Sequence, residues 1–112
     1  MAFTLSNRSL GKLEGVHPLL VAVVKTAVQN TRIDFGVIYG VRTLEEQQEL
    51  FDKGVSKTMK SNHLIQDDGY SHAVDLMAYV GSRPSWEVSL YDDLADAVKI
   101  AAKEHGAHVR WG

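Results

Sequence analysis

The sequence predicts an α+β domain, on three observations. Some stretches carry apolar residues at helical spacing, short runs rich in β-branched and aromatic residues stand between turn formers, and the two kinds do not follow strict strand–helix–strand order. A chain of 112 residues has enough side chains for one core but not for two, so a single domain over 1–112 is expected.

In chain order, a polar opening is followed by "HPLLVAVVKTAVQN". Leu20, Val23, Val24, Ala27 and Val28 fall on one helical face there, and Pro18 is tolerated in the first turn, which predicts a helix over 17–30. "DFGVIYGVR", from Asp34 to Arg42, reads as a largely buried strand. Thr43 and Glu46 have the spacing of a capping box, and "LEEQQELFDK" is a short helix that stops at Gly54. From Val55 to Ser71 the chain is polar and without sustained period, and a loop of this length in a compact domain is usually functional or disordered; function is the expectation here. "HAVDLMAYV", 72–80, reads as a strand buried on both faces, and "GSRPSWE" as a turn region. Ser89 is expected to cap a last helix, with Leu90, Leu94, Val98 and Ala101 on its inner face, acids early, basic groups late and Gly106 as its stop. The alternation in "AHVRWG" predicts a closing strand.

Composition excludes several classes of partner. The formal charge of −2 comes without any run of Lys or Arg, which argues against nucleic acid or an anionic membrane surface. With no cysteine, disulfides and thiolate metal sites are ruled out, so any metal must be held by His, Asp or Glu. "LLVAVV", 19–24, is too short to cross a bilayer, and no signal peptide or stable membrane insertion is expected.

The densest chemistry lies in "SNHLIQDDGYSHAVDL", 61–76, where Asp75 stands between Val74 and Leu76. An ionised carboxylate taken out of water needs a positive or hydrogen-bonding partner. Two readings stand: a metal shared with His63, or a structural carboxylate satisfied by backbone N–H groups or Arg110. Arg42 can face developing negative charge from the end of its strand, or be an ordinary surface cation; Gln47 can be part of a site or a solvated helix residue. His72 offers a rival ligand, although strand alternation turns it away from Asp75. His17 and His105 read as capping or surface groups, and His108 is held in reserve.

Ser61-x-His63, a glycine-containing connection and Ala73-x-Asp75 resemble the S-x-H…G-x-A-x-D signature of zinc peptidases that cut bacterial cell-wall peptides. These are the VanY-like D-alanyl-D-alanine carboxypeptidases and the phage L-alanyl-D-glutamate endopeptidases. "YGVRTLEEQQELFDKG" resembles their strand–Arg–helix segment, and "KEHGAHVRWG" the segment before their final catalytic strand. The resemblance implies a LAS-type fold (hedgehog and D-Ala-D-Ala peptidase-like), a small antiparallel sheet flanked by helices. It implies Zn²⁺ on His63 and Asp75, an oxyanion stabilised by Arg42, and support from Gln47 and Ser61.

The implied activity is hydrolysis of a peptide bond in the peptidoglycan stem peptide by a monomer, most like a bacteriophage endolysin made in the cytoplasm and acting at the cell wall after release. Two departures stand out. His63 and Asp75 are farther apart than in the signature, as if "IQDDG" were inserted, and Ser71 replaces a glycine. The family's third zinc ligand and general base lie beyond the equivalent of "RWG", which implies a C-terminally incomplete fold. The alternative from another class is a non-catalytic cell-wall-binding or regulatory remnant; a third is a structural domain in which Asp75 pairs with Arg42 or Arg110.

Overall fold

A computed structural model describes residues 3–81 and 83–109. In order the elements are α1 (Asn7–Lys12), α2 (Pro18–Asn30), β1 (Asp34–Tyr39), α3 (Leu44–Asp52), β2 (Asp75–Val80), β3 (Arg83–Ser85) and α4 (Val88–Glu104). The strands form one antiparallel sheet in the order β1-β2-β3, and α2 packs against α4 beneath it. The α+β expectation, with a small antiparallel sheet flanked by helices, holds.

The core forms where these faces meet. Val23, Val24, Ala27 and Val28 of α2 lie against Leu94, Val98, Ala101 and Ala102 of α4 and against Phe35, Val37 and Ala78 of the sheet. Leu94 is fully buried, and its truncation to Ala would cost about 2–5 kcal/mol. His17 caps α2 by accepting the Leu19 N–H at Nδ1, and Pro18 occupies the first turn, where its missing N–H costs nothing. Both halves of the Thr43–Glu46 capping box are present at the start of α3. Gly106, at φ 66°, ends α4 in the left-handed region that favours glycine.

Two elements go beyond the sequence reading. Helix α1 lies within the polar opening: Ser6 caps it, and buried Ser9 accepts the Val37 N–H at 3.0 Å, closing the outer edge of β1. Strand β3 lies within the expected turn region. There Tyr91 of α4 donates its hydroxyl to the Ser85 carbonyl and accepts the Ala78 N–H.

Several boundaries are corrected. β1 stops at Tyr39 rather than Arg42, because Arg42 turns its N–H to the His63 carbonyl of the long loop. β2 begins at Asp75 rather than His72, whose N–H bonds to Asn62. Asp75 is therefore the first residue of a half-buried strand, its side chain 46% exposed, and not a carboxylate buried on both faces. Helix α4 begins at Val88 after Glu87, so Ser89 lies inside it and does not cap it. Residues 107–109 are not strand; Ala107 and Val109 pack on the core instead. Arg110, Trp111 and Gly112, and with them the rest of the expected closing strand, lie outside the described residues. Among the described residues no helix is long and apolar enough to cross a membrane.

Candidate active site

Strand register sets the site. Phe35 pairs with Ala78 and Val37 with Leu76, and then an irregularity between Val37 and Tyr39 shifts the pairing so that Tyr39 lies opposite Asp75. An extra residue in one strand reverses its alternation. Tyr39 thus leaves the core face of Val37 and stands beside Asp75 at the end of the sheet.

The loop that carries His63 is held by Gln47, which is fully buried rather than solvated. Its amide donates to the Thr58 carbonyl at 2.6 Å and the Ser56 hydroxyl at 2.9 Å, while its oxygen accepts from Arg42 Nη1 at 2.8 Å. A buried amide satisfied in this way is a rigid strut, because any displacement strands polar atoms. It fixes the guanidinium of Arg42, which also reaches Ser61 Oγ at 3.5 Å. Ser61 Oγ in turn accepts the His63 N–H at 3.2 Å.

His63 has its tautomer set by its surroundings. Nδ1 lies 2.8 Å from the carbonyl of Gly40, and a carbonyl only accepts, so Nδ1 carries a proton. In the neutral ring this leaves the Nε2 lone pair directed toward Asp75 Oδ1, 3.4 Å away. Gly40 is itself obligatory: a Cβ there would lie 1.9 Å from the Lys12 carbonyl, so only glycine lets this turn pack against the end of α1. Asp75 pulls the His63 pKa above its ordinary value, against partial burial, and His63 pulls that of Asp75 below its own, with Arg42 helping.

The separation is too long for a good charge-assisted hydrogen bond, which runs at about 2.7–2.9 Å. It fits two ligands of one ion: donors about 2.0–2.1 Å from a tetrahedral zinc lie about 3.3 Å from each other. A neutral imidazole held by a carbonyl behind it, paired with a carboxylate, is the donor set zinc accepts. These two residues fit two coordination positions; no group of three His, Asp or Glu converges among the described residues.

The remaining histidines lie elsewhere. His72 meets Asp68 at 2.7 Å and His17 approaches the same carboxylate oxygen at 3.8 Å. His105 is the C-cap of α4 and bonds Thr26 at 2.7 Å, and His108 is exposed near the end of the described chain. Sequence reasoning missed the roles of Gly40 and Ser71. Ser71 is fully buried, bonds through its backbone to Gly15 and His17, and directs its hydroxyl to the carbonyls of Asn62 and Ala73. The signal for it was its place where the signature has glycine, a mark of tight packing.

The model of the phage L-alanyl-D-glutamate peptidase family matches residues 1–112. The L-alanyl-D-glutamate peptidase of Escherichia phage T5 is 27% identical over 116 residues, covering 100% of this chain and 81% of that protein. The solved structure of the L-Ala D-Glu endopeptidase ChiX of Serratia marcescens superposes with a TM-score of 0.88 at 38% identity, covering 100% of this chain and 79% of the other. A family match along the whole chain, on a shared α+β frame, makes this chain a member of the phage L-alanyl-D-glutamate peptidase family.

Proposed function

We propose that this chain is a zinc-dependent endopeptidase that hydrolyses the L-alanyl-D-glutamate bond of peptidoglycan stem peptides, its 112 residues acting as one peptidase domain at the bacterial cell wall. The observation that carries this reading is the 3.4 Å approach of His63 Nε2 to Asp75 Oδ1, with His63 held from behind by Gly40. In this reading His63 and Asp75 hold Zn²⁺. When bound, the ion supplies Lewis acidity toward a peptide carbonyl and makes water acidic enough to attack near neutral pH.

The other residues act through position and charge. Arg42 directs its guanidinium at the oxygen on which negative charge develops, and a cation fixed before the reaction loses nothing to reorganisation during it. Gln47 holds that guanidinium in place, and Ser61 links it to the backbone of His63. Asp75 lowers the net charge of the ion it holds and, half exposed, leaves room for a peptide beside it.

Mass spectrometry of purified stem peptide incubated with the zinc-loaded protein tests the proposal. Products should divide between L-Ala and D-Glu, and a chelator should stop the reaction until zinc is restored. Cleavage between the two D-alanines would reassign the bond, and no cleavage of any stem peptide would favour the non-catalytic alternative.

A further inference from the structure

The C-terminal end of α1 is pressed onto the site by the close passage of Gly40 beneath the Lys12 carbonyl, and so the Lys12 side chain projects from a fixed point. Its ammonium lies 5.8 Å above the ring of Tyr39, within the range of a cation–π contact. Tyr39 is the residue opposite Asp75 in the sheet, and 48% of it is exposed. Among the described residues no carboxylate comes within 4 Å of Lys12. A lysine steadied by a π face beside a candidate catalytic pair therefore keeps its charge available to a visitor.

The two cations of this rim are divided in reach. Arg42 acts electrostatically on His63 and Asp75, whereas Lys12 acts with Arg42 on Glu46, at the start of α3. Lys12 meets the site through the Tyr39 ring, and Tyr39 is the strand neighbour of Asp75. A glutamate on the leaving side of the scissile bond has two carboxyl groups; when one continues the peptide the other remains an anion, a few bonds from the reacting carbonyl. We infer that Lys12, held over Tyr39, binds this free glutamate carboxylate and makes the enzyme prefer the acidic peptide to its carboxamide counterpart. The inference rests on the peptidase reading above.

The test uses two synthetic peptides that differ only in carrying glutamate or its side-group amide after L-alanine, and the zinc-loaded proteins with Lys12 intact, Lys12→Met and Lys12→Arg. The intact protein should cleave the carboxylate peptide with the higher kcat/KM. Lys12→Met should lose about tenfold on it, chiefly through KM, so that the ratio between the peptides falls toward one, and Lys12→Arg should restore the ratio. An equal fall on both peptides, or an unchanged ratio, would overturn the inference. If the intact protein cleaves neither peptide, the peptidase reading fails; binding of the same two peptides, followed by NMR shifts at Tyr39, then decides whether Lys12 discriminates between them. Equal binding by the intact and Lys12→Met proteins would overturn it in that case too.

Discussion

Of the histidine–aspartate contacts among the described residues, His72–Asp68 and His63–Asp75 differ most in what supports them. His72 and Asp68 lie 2.7 Å apart, both more than a third exposed, in a simple hydrogen bond within the long loop that precedes β2. His63 and Asp75 lie farther apart at 3.4 Å, with His63 only 12% exposed. The closer pair is the more ordinary one. An exposed pair contributes little beyond the local turn it stabilises, since solvent screens it. What marks the second pair is its support: a carbonyl fixing one ring nitrogen, a glycine that nothing larger can replace, and a buried amide aiming an arginine nearby. Proximity is thus a poor guide to function, and the rigidity of what stands behind the donors is a better one.

The comparison breaks most readily at His63 and Asp75 themselves. His63→Ala or Asp75→Ala is expected to abolish cleavage of stem peptide, whereas His72→Ala leaves it intact; an assay of product release on all three would separate the pairs. Arg42→Ala should leave zinc uptake nearly unchanged and lower kcat by about 10²–10³-fold, the usual loss when a fixed oxyanion donor is removed. Arg42→Lys should recover little of it, because an ammonium lacks the planar guanidinium that Gln47 holds at Nη1 while its other N–H groups stay free to point elsewhere.

Gln47→Ala sharpens the claim about support. It empties a buried site, takes one of two donors from the Thr58 carbonyl and leaves Arg42 Nη1 without its Gln47 acceptor, so urea denaturation should show a loss of about 2–4 kcal/mol, accompanied by a lower kcat. Thr43→Ala should cost about 1 kcal/mol as a lost cap. The effect of the cap depends on pH. Hydrogen bonds from the Thr43 backbone and hydroxyl hold the Glu46 pKa below its ordinary value of 4.5. A carboxylate with a depressed folded value contributes fully above its unfolded value and loses that contribution as pH falls through the folded one. The gap in Tm between Thr43→Ala and the parent should therefore be constant near neutrality and narrow below pH 4.5. The smallest effect belongs to Asp68→Asn, which should leave kcat/KM within about twofold.

Much of this architecture can be read from the chain. The apolar face of α2, the Thr43–Glu46 box and the Gly106 stop are local signals, and local signals survive folding. The meeting of His63 with Asp75 is legible through the S-x-H and A-x-D motifs, although the connection between them is longer than in the signature. What escapes is tertiary. Helix α1 is too short to show a period and is held by one serine bonded to a strand edge. Strand β3 contains Pro84, which argues against a strand except at the edge it occupies. The apolar run through Ala73 and Val74 invites an early start to β2, but the His72 N–H bonds to the Asn62 carbonyl of the loop and the Ala73 N–H to the Ser71 hydroxyl. Gln47 is polar by type and becomes core only because a loop folds over it.

Zinc titration of the metal-free chain, followed by calorimetry, tests the central claim most directly. One equivalent should bind the parent and the Asp68→Asn and His72→Ala variants alike at micromolar zinc, and either His63→Ala or Asp75→Ala should remove it. Uptake that survives both of those substitutions, or that disappears with His72→Ala, would contradict the account.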